Sequence, residues 1–432
     1  MKDPGFTKKP YANPCAFALG NLRAQFDEQG FDVLPANSSS HRVRENQRKG
    51  SLVFWFHGGQ WYYILVPDAS KSGWCLALRL YPTLAHKDAV EYGRRFSGCI
   101  AIHMSFFQFW FRNSRPHALP QSVLPALFAA CLAANQPDFS LPLAVLAVMG
   151  VIVGHMSTNL FDDYFDYRAH HAHYRNVLDR EGFRARIGKC LYLTSGEATV
   201  GQLLGVSLLL MGLAFLIGGI ILYFRGMMIF HIAYITAALA IFYSGPPLRL
   251  SYHGLGELSI GVIFGPLSMI GTYYAACGTM DQTLMFISIP VGLLVMNIIY
   301  VHSMLDVVAD KKTGKQTLAV FLGHPQAMLA VLFLTLFLPF FIFGYGIWRG
   351  SLPVAYLALL LTLPMAVGLF RMMTIFYRNP EQKFAPQPWM GFMRKWPQVE
   401  AIGIGWFMIR WFLARNLLVS VCLIGIILSF IG

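Results

Sequence analysis

The sequence predicts an all-α polytopic membrane protein of nine transmembrane helices, preceded by a small N-terminal α+β cytoplasmic domain. Three observations carry that prediction. Hydrophobic residues make up 56% of the chain and charged residues only 13%, against roughly 25% charged in an average soluble domain. Nine runs, about 119–135, 141–163, 199–223, 227–244, 258–276, 284–306, 327–348, 352–372 and 414–431, approach the roughly 20 apolar residues that cross a hydrocarbon core. The basic residues, finally, are distributed unevenly among the connections. Segments 167–197, 245–257, 309–325 and 371–400 hold fifteen Lys and Arg, whereas the alternate connections hold only Arg225 and Arg349. Cytoplasmic loops collect Lys and Arg, so the basic set, everything before residue 115 and the N-terminus are assigned to the cytoplasm and the C-terminus to the outside. The net charge of +13 then reflects topology, and no nucleic-acid partner is expected.

Taken in order, residues 1–111 form the first domain and 112–432 the membrane domain. Met1-Lys2-Asp3-Pro4 runs into a polar stretch with no apolar core of a leader peptide. A helix is expected near 16–28, followed by a polar Ser- and Arg-rich linker. Leu52–His57 and Gln60–Val66 flank Gly58-Gly59, a β-hairpin pattern, with a third strand around 74–81. A long helix over 84–111 leads to the bilayer, with Phe106, Phe107, Phe109, Trp110 and Phe111 expected at the interface. In the fifth span Gly256, Gly261, Gly265 and Pro266 predict close helix packing and a local kink. The seven cysteines show neither C-x-x-C nor metal-ligand spacing and read as small buried hydrophobes.

The residues that carry chemistry are acids. Asn159-Leu160-Phe161-Asp162-Asp163-Tyr164-Phe165-Asp166 and Asp306-Val307-Val308-Ala309-Asp310 stand at the ends of apolar segments about 140 residues apart. Asp162/Asp166 and Asp306/Asp310 are i,i+4 pairs, so each pair projects from one helix face. Acids at a membrane edge are costly and default to a functional role. Two opposed acidic faces suit Mg²⁺, a hard cation that takes oxygen ligands and bridges to a diphosphate. The alternative, that they cap helix ends, is weakened by two such pairs on one membrane side.

The order of motifs resembles the UbiA superfamily of intramembrane prenyltransferases over roughly residues 110–431, nearest to the branch that prenylates 1,4-dihydroxy-2-naphthoate in menaquinone biosynthesis. The resemblance rests on Arg115-Pro116-His117-Ala118-Leu119-Pro120, Asn159-Leu160 with Asp162–Asp166, Tyr243-Ser244-Gly245-Pro246-Pro247-Leu248-Arg249-Leu250, Gly254-Leu255-Gly256-Glu257, and Asp306-x-x-x-Asp310-x-x-x-Gly314-Lys315. It implies a bacterial plasma-membrane enzyme with the site on the cytoplasmic side. Asp162, Asp163, Asp166, Asp306 and Asp310 would hold Mg²⁺, or Mn²⁺, and serve catalysis together with Tyr243. Asn159, Arg115, Arg249, Lys189 and Lys315 would bind a prenyl diphosphate and an aromatic acceptor. Departures are Asp162 where the family has Asn, and His170 where many members carry a further acid, for which Asp179 is a substitute. His170, His171 and His173 read as a solvated or phosphate-facing patch rather than a zinc site.

Rival readings remain: another acceptor such as 4-hydroxybenzoate, a chlorin or glycerol phosphate, or an intramembrane terpene cyclase. A cation-coupled transporter is a third, disfavoured because both acid pairs sit at one edge with no visible inverted repeat. Residues 1–111 are also readable as a module that recruits a protein partner.

Overall fold

The computed structural model describes residues 51–57, 60–66, 77–78, 106–169, 189–380, 382–393 and 396–431. Contacts divide the chain into two units, Met1–Ser105 and Phe106–Gly432. In the first unit β1 (Ser51–His57), β2 (Gln60–Val66) and β3 (Ala77–Leu78) form an antiparallel sheet in the order β1-β2-β3. Phe56 pairs with Trp61 and His57 with Gln60, the antiparallel register that the hairpin pattern of the sequence predicts. The helix expected at 16–28, and the 84–105 part of the linking helix, lie outside the described residues, as do His170, His171, His173 and Asp179.

The second unit is helical. It contains α1 (Phe106–Asn113), α2 (Pro120–Ala133), α3 (Leu141–Arg168), α4 (Leu191–Thr194), α5 (Val200–Arg225) and α6 (Met227–Phe242). The chain continues through α7 (Gly256–Cys277), α8 (Thr283–Leu305), α9 (Val307–Lys312), α10 (Leu318–Leu322), α11 (Pro325–Trp348), α12 (Val354–Arg378), α13 (Trp396–Ala401) and α14 (Gly405–Leu428). Seven of these, α3, α5, α7, α8, α11, α12 and α14, are long and apolar enough to cross a membrane. The other two expected spans are the shorter helices α2, of 14 residues, and α6, of 16. At 1.5 Å per residue neither reaches the full hydrocarbon thickness by itself.

Local signals set the helix ends. Pro120 and Pro325 open α2 and α11, where a missing N–H costs nothing. Thr199 and Gln202 form a reciprocal capping box at the start of α5. Gly226, at φ 78°, turns the chain directly from α5 into α6. Helix α8 is the core of the unit: Ile287, Val291, Val295, Ile298, Tyr300 and Val301 have no measurable exposure, and it packs against α7, α11 and α14. Polar side chains lock it there, because Asn297 Nδ2 donates to Thr335 O at 2.8 Å and Thr335 Oγ1 donates to Asn297 Oδ1 at 2.6 Å. Such interhelical bonds contribute on the order of 0.6 kcal/mol in a bilayer. The kink expected in the fifth span is present as a π-helical turn, Ile263–Leu267, around Pro266. A Cβ on Gly261 would lie 2.7 Å from Gly292 O, so the small residues are there to let α7 touch α8 backbone to backbone.

One expectation changes. Trp110 is not an interface anchor but is buried, and it meets the Tyr192 ring edge-on at 6.0 Å, as Phe109 does at 6.1 Å. Phe106, Phe107 and Phe111 are the exposed members of the run. An eight-residue amphipathic helix can offer only one face to the bilayer, and the other closes over α4.

Candidate active site

Helix α3 runs three residues beyond its last apolar turn, through Asp166 to Arg168, so the first acids belong to the helix and not to a loop. Asp162, Asp163 and Asp166 are all buried. Three carboxylates so enclosed need partners, and the chain supplies them from three directions. Arg115 Nη1 donates to Asp162 at 3.1 Å, and its Nη2 pairs with Asp163. Lys189 Nζ lies 2.8 Å from Asp162 and also pairs with Asp166. The hydroxyls of Ser244, at 2.6 Å, Tyr192, at 3.0 Å, and Tyr252 donate to Asp162, Asp163 and Asp166 respectively. The shared contacts of Asp162 and Asp166 with Lys189 bear out the prediction that this i,i+4 pair presents one face.

The backbone is shaped to deliver these cations. Among the described residues only Arg115, Cys190 and Arg249 have positive φ without being glycine, at 61°, 54° and 42°. Each such conformation costs of the order of 1–3 kcal/mol. Arg115 and Cys190, the neighbour of Lys189, stand directly at the acids, so the strain is spent where the site is built. Asn159 steadies the first of these turns by donating to Ser114 O at 2.9 Å. Asn159 therefore acts here by holding the Arg115 segment.

Burial would strip the Lys189 ammonium of its proton, but Asp162 and Asp166 outweigh it and push the pKa up to about 12. Arg115 is likewise held charged by Asp163 and Asp162 against the cost of burial. Burial, and then Asp163, push the Tyr192 hydroxyl up. Tyr243 directly follows α6, and its carbonyl accepts from Ser251 N at 2.9 Å.

The second acids are built differently. Asp306 interrupts the helix between α8 and α9, at φ −100° and ψ 9°. The pair is thus not on one uninterrupted helix, although Asp310 N still donates to Asp306 O at 2.8 Å. Asp306 Oδ2 lies 3.0 Å from His302 Nε2. Both acids are buried. A bridge connects the two acidic groups: Lys315 N donates to Asp310 O at 2.9 Å, its Nζ stands 5.7 Å from the Tyr252 ring centre, and Tyr252 donates to Asp166. The loop carrying Tyr252 is tied to the same segment by Gly254 N to Gln316 O at 2.7 Å.

Of the residues expected from sequence, Asp162, Asp163, Asp166, Arg115 and Lys189 come together, Lys315 borders them, Asn159 supports them, and Tyr243 immediately precedes Ser244, which donates to Asp162. Arg249 is exposed on its loop. Ser244, Tyr252, Tyr192 and His302 had not been singled out as site residues. Ser244 lies inside a quoted motif, Tyr252 two residues beyond it, and His302 precedes Asp306 by one helical turn, so three of the four had a positional signal. Glu257 has a different task, since both its oxygens lie 3.2 Å from Leu318 N, at the start of α10. Among the described residues no three acidic, histidine or cysteine side chains already converge as a metal centre. The donor set is nevertheless almost all carboxylate oxygen, the chemistry of a hard divalent cation.

The structure is thereby that of a multi-span helical membrane protein whose α3 ends in buried acids countered by Arg115 and Lys189. The chain belongs to the UbiA prenyltransferase family, whose pattern matches residues 122–393. It is a prenyltransferase and an integral membrane protein. The 1,4-dihydroxy-2-naphthoate octaprenyltransferase of Bacillus subtilis (strain 168) is 26% identical over 229 residues, covering 52% of this chain and 69% of that protein. The enzyme of the same name from Haemophilus influenzae (strain ATCC 51907 / DSM 11121 / KW20 / Rd) is 28% identical over 222 residues, 50% of this chain and 69% of that one. In fold, a digeranylgeranylglyceryl phosphate synthase structure superposes with a TM-score of 0.50 at 16% identity, covering 75% of this chain and 99% of that one.

Proposed function

We propose that the chain transfers a polyprenyl group from an allylic prenyl diphosphate to 1,4-dihydroxy-2-naphthoate, with the site on the cytoplasmic side of a bacterial plasma membrane. The observation that carries this reading is the Asp162–Asp163–Asp166 group, buried against Arg115 and Lys189 and linked through Tyr252 and Lys315 to Asp306 and Asp310. Relatives named for that acceptor support the choice of naphthoate.

Asp162, Asp163, Asp166, Asp306 and Asp310 would hold Mg²⁺ or Mn²⁺, which when bound neutralises charge on a diphosphate. The residues of the chain do the rest. Arg115 and Lys189 can pair with either of two kinds of anion, since phosphate oxygens attract them as carboxylates do. On substrate binding they exchange Asp162, Asp163 and Asp166 for the diphosphate, which frees those carboxylates. The bond between the allylic carbon and the bridging oxygen breaks, and its electron pair leaves with the diphosphate. Tyr243 and the apolar helix ends keep water from the allylic cation. An electron-rich ring carbon of the acceptor supplies the pair for the new carbon–carbon bond and releases its proton, and the carboxylate then leaves as carbon dioxide while a proton takes up the electron pair left on its ring carbon. Arg249, exposed on its loop, would engage the acceptor carboxylate and orient the ring.

Mass spectrometry of products from purified protein, Mg²⁺ and a panel of diphosphates and acceptors tests the reading. A prenylated, decarboxylated 1,4-naphthalenediol, or the quinone it forms in air, is expected. Preference for 4-hydroxybenzoate or a chlorin, or a cyclised terpene made without acceptor, overturns the naphthoate assignment and leaves the family unchanged. Arg249→Leu is expected to raise the KM of the acceptor more than that of the diphosphate.

A further inference from the structure

After α12 the chain folds back along the bundle. The Trp389 indole fills the space that a Cβ on Gly368 would take, and Gly368 lies about 15 Å along the axis from the end of α12 at Arg378. On the α14 side, Met390 O accepts from Asn416 Nδ2 at 2.8 Å, and Phe392 O accepts from Asn416 Nδ2 at 3.2 Å and from Arg415 Nη2 at 3.1 Å. Residues 388–392 therefore return between α12 and α14, with Met390 buried and Trp389 and Phe392 exposed by 45% and 76%. Irregular backbone at membrane depth persists only where protein or water meets its polar groups, and here Asn416 and Arg415 meet them.

Arg415 is the unusual member of this arrangement. The Phe407 ring meets that of His302 at 5.3 Å, so α14 begins on the side of the bilayer where the acids stand. Measured from Leu428, its far end, Arg415 is about 20 Å along the axis, within a hydrocarbon core of roughly 30 Å. A cation at that depth is expensive and marks a function. Its Nε and Nη2 donate to Asn416 Oδ1, and the guanidinium lies over the rings of Trp411 and Phe412 at 5.7 and 4.6 Å. No described carboxylate pairs with it, and Glu381 lies outside the described residues. Nη1 has no hydrogen-bond partner and is not among the enclosed polar atoms, so it is accessible beside Phe392. Arg371, one turn from Gly368 on the same face of α12, is exposed and brings a second cation to the Trp389 side of the fold.

We infer that this fold between α12 and α14 is a binding site for one anionic phospholipid of the leaflet on the acid side. Arg415 Nη1 and Arg371 take its phosphate, and the rings of Trp389 and Phe392 lie against the boundary between headgroup and acyl chains. Two cations without a described counter-charge favour a lipid with a net negative charge over a zwitterionic one. The exposed rings favour a lipid over free phosphate, which would shed its water here and gain no apolar contact. The site is separate from the transfer reaction and does not depend on which acceptor is used.

The test is native mass spectrometry of the full-length protein in nonionic detergent with added dioleoyl phosphatidylglycerol. Dioleoyl phosphatidylcholine, with the same acyl chains, and inorganic phosphate are the other arms. Phosphatidylglycerol is expected to bind at one site about tenfold tighter than phosphatidylcholine and to stay bound in millimolar inorganic phosphate. Arg371→Gln combined with Arg415→Gln should erase the preference, whereas Arg415→Lys, which keeps the charge, should keep most of it. Arg371→Gln alone, at an exposed position that the fold tolerates, should lower it about threefold, and this variant decides the matter if the double variant elutes as an aggregate. Arg349→Gln removes an exposed charge beyond the far end of α11 and should leave the preference unchanged. Equal binding of the two lipids, a preference retained in the folded double variant, or a loss in Arg349→Gln as large as in Arg371→Gln overturns the site. Displacement of the lipid by inorganic phosphate overturns the lipid as its occupant.

Discussion

The two acidic groups carry similar residues and are supported in opposite ways. Asp162, Asp163 and Asp166 sit on an unbroken helix and are neutralised by cations from distant parts of the chain, Arg115 and Lys189. Asp306 and Asp310 sit at a helix break, and Asp306 Oδ2 lies 3.0 Å from His302 Nε2 of its own helix. Three carboxylates against two permanent cations leave one negative charge in excess, so the first group could give up those cations to an incoming anion only if other positive charge, such as a divalent metal, took their place. A histidine partner orients Asp306 without having to be removed. The comparison suggests a division of labour in which the first group receives the diphosphate by exchange and the second is a standing set of oxygen ligands.

The largest effect should come from the carboxylates themselves. Asp166→Asn and Asp310→Asn are each expected to lower transfer by on the order of a thousandfold or more, since parts of one electrostatic cradle act as a unit. Single-turnover product formation checks this, with gel filtration to establish that the fold is kept. Equal losses join the two groups in one site, whereas a near-wild-type Asp310→Asn would detach the second group from the chemistry. Chelation of divalent ions should give a loss of the same order, restored by Mg²⁺ or Mn²⁺, and full turnover in excess chelator would remove the metal from the reading.

Exchange predicts a smaller, differently shaped effect for the cations. Lys189→Met should lower kcat/KM for the diphosphate by about a hundredfold, chiefly through KM, while Arg115→Lys should recover only part of the Arg115→Ala loss because the two-pronged guanidinium is not replaced. The sign of the pH dependence follows from the raised pKa of Lys189. The stability it contributes is complete below its unfolded value, about 10, and is lost only as pH rises through about 12. Replacing Lys189 should therefore leave any alkaline limb of the rate profile below pH about 10 where it was; a limb that moves with the variant would mean that Lys189 titrates in the working range.

His302→Ala tests the other half of the comparison. Removing a residue that orients a metal-binding carboxylate typically costs 10–100-fold in metal affinity. The Mg²⁺ concentration for half-maximal rate should rise by about tenfold with the diphosphate KM little changed at saturating metal. A dominant change in diphosphate KM would give His302 the role assigned to Lys189.

Much of this was legible in the sequence because it is periodic or local. The apolar runs placed the long helices, the spacing of Asp162 and Asp166 placed them on one face, and Gly261, Gly265 and Pro266 announced the close contact and the bend in α7. The convergence of Arg115, Lys189, Ser244 and Tyr252 on α3 was not legible as geometry, because it depends on loops separated by tens of residues and on left-handed turns at Arg115 and Cys190 that no propensity favours. Asp306 was read as lying on a continuous helix because i,i+4 spacing survives a one-residue break. Trp110 was read as an interface anchor because an aromatic cluster beside a span has that composition whether or not α4 covers it.

The smallest effect concerns the N-terminal unit. The family pattern begins at residue 122, and the second unit by contact begins at Phe106. A truncation beginning near Arg112 would remove Phe109 and Trp110, which pack against Tyr192, the donor to Asp163. A truncation beginning at Phe106 keeps that wall. It is expected to retain transfer within roughly a factor of three, as for changes remote from a site, while the start at Arg112 should lose more through a loosened Tyr192 and a weaker hold on the first carboxylates. If both truncations behave alike and keep full activity, the aromatic wall has no part in ordering Asp163. If the start at Phe106 is folded and inactive, residues 1–105 take part in the chemistry, and the asymmetry between the two acidic groups is no longer the whole description of the site.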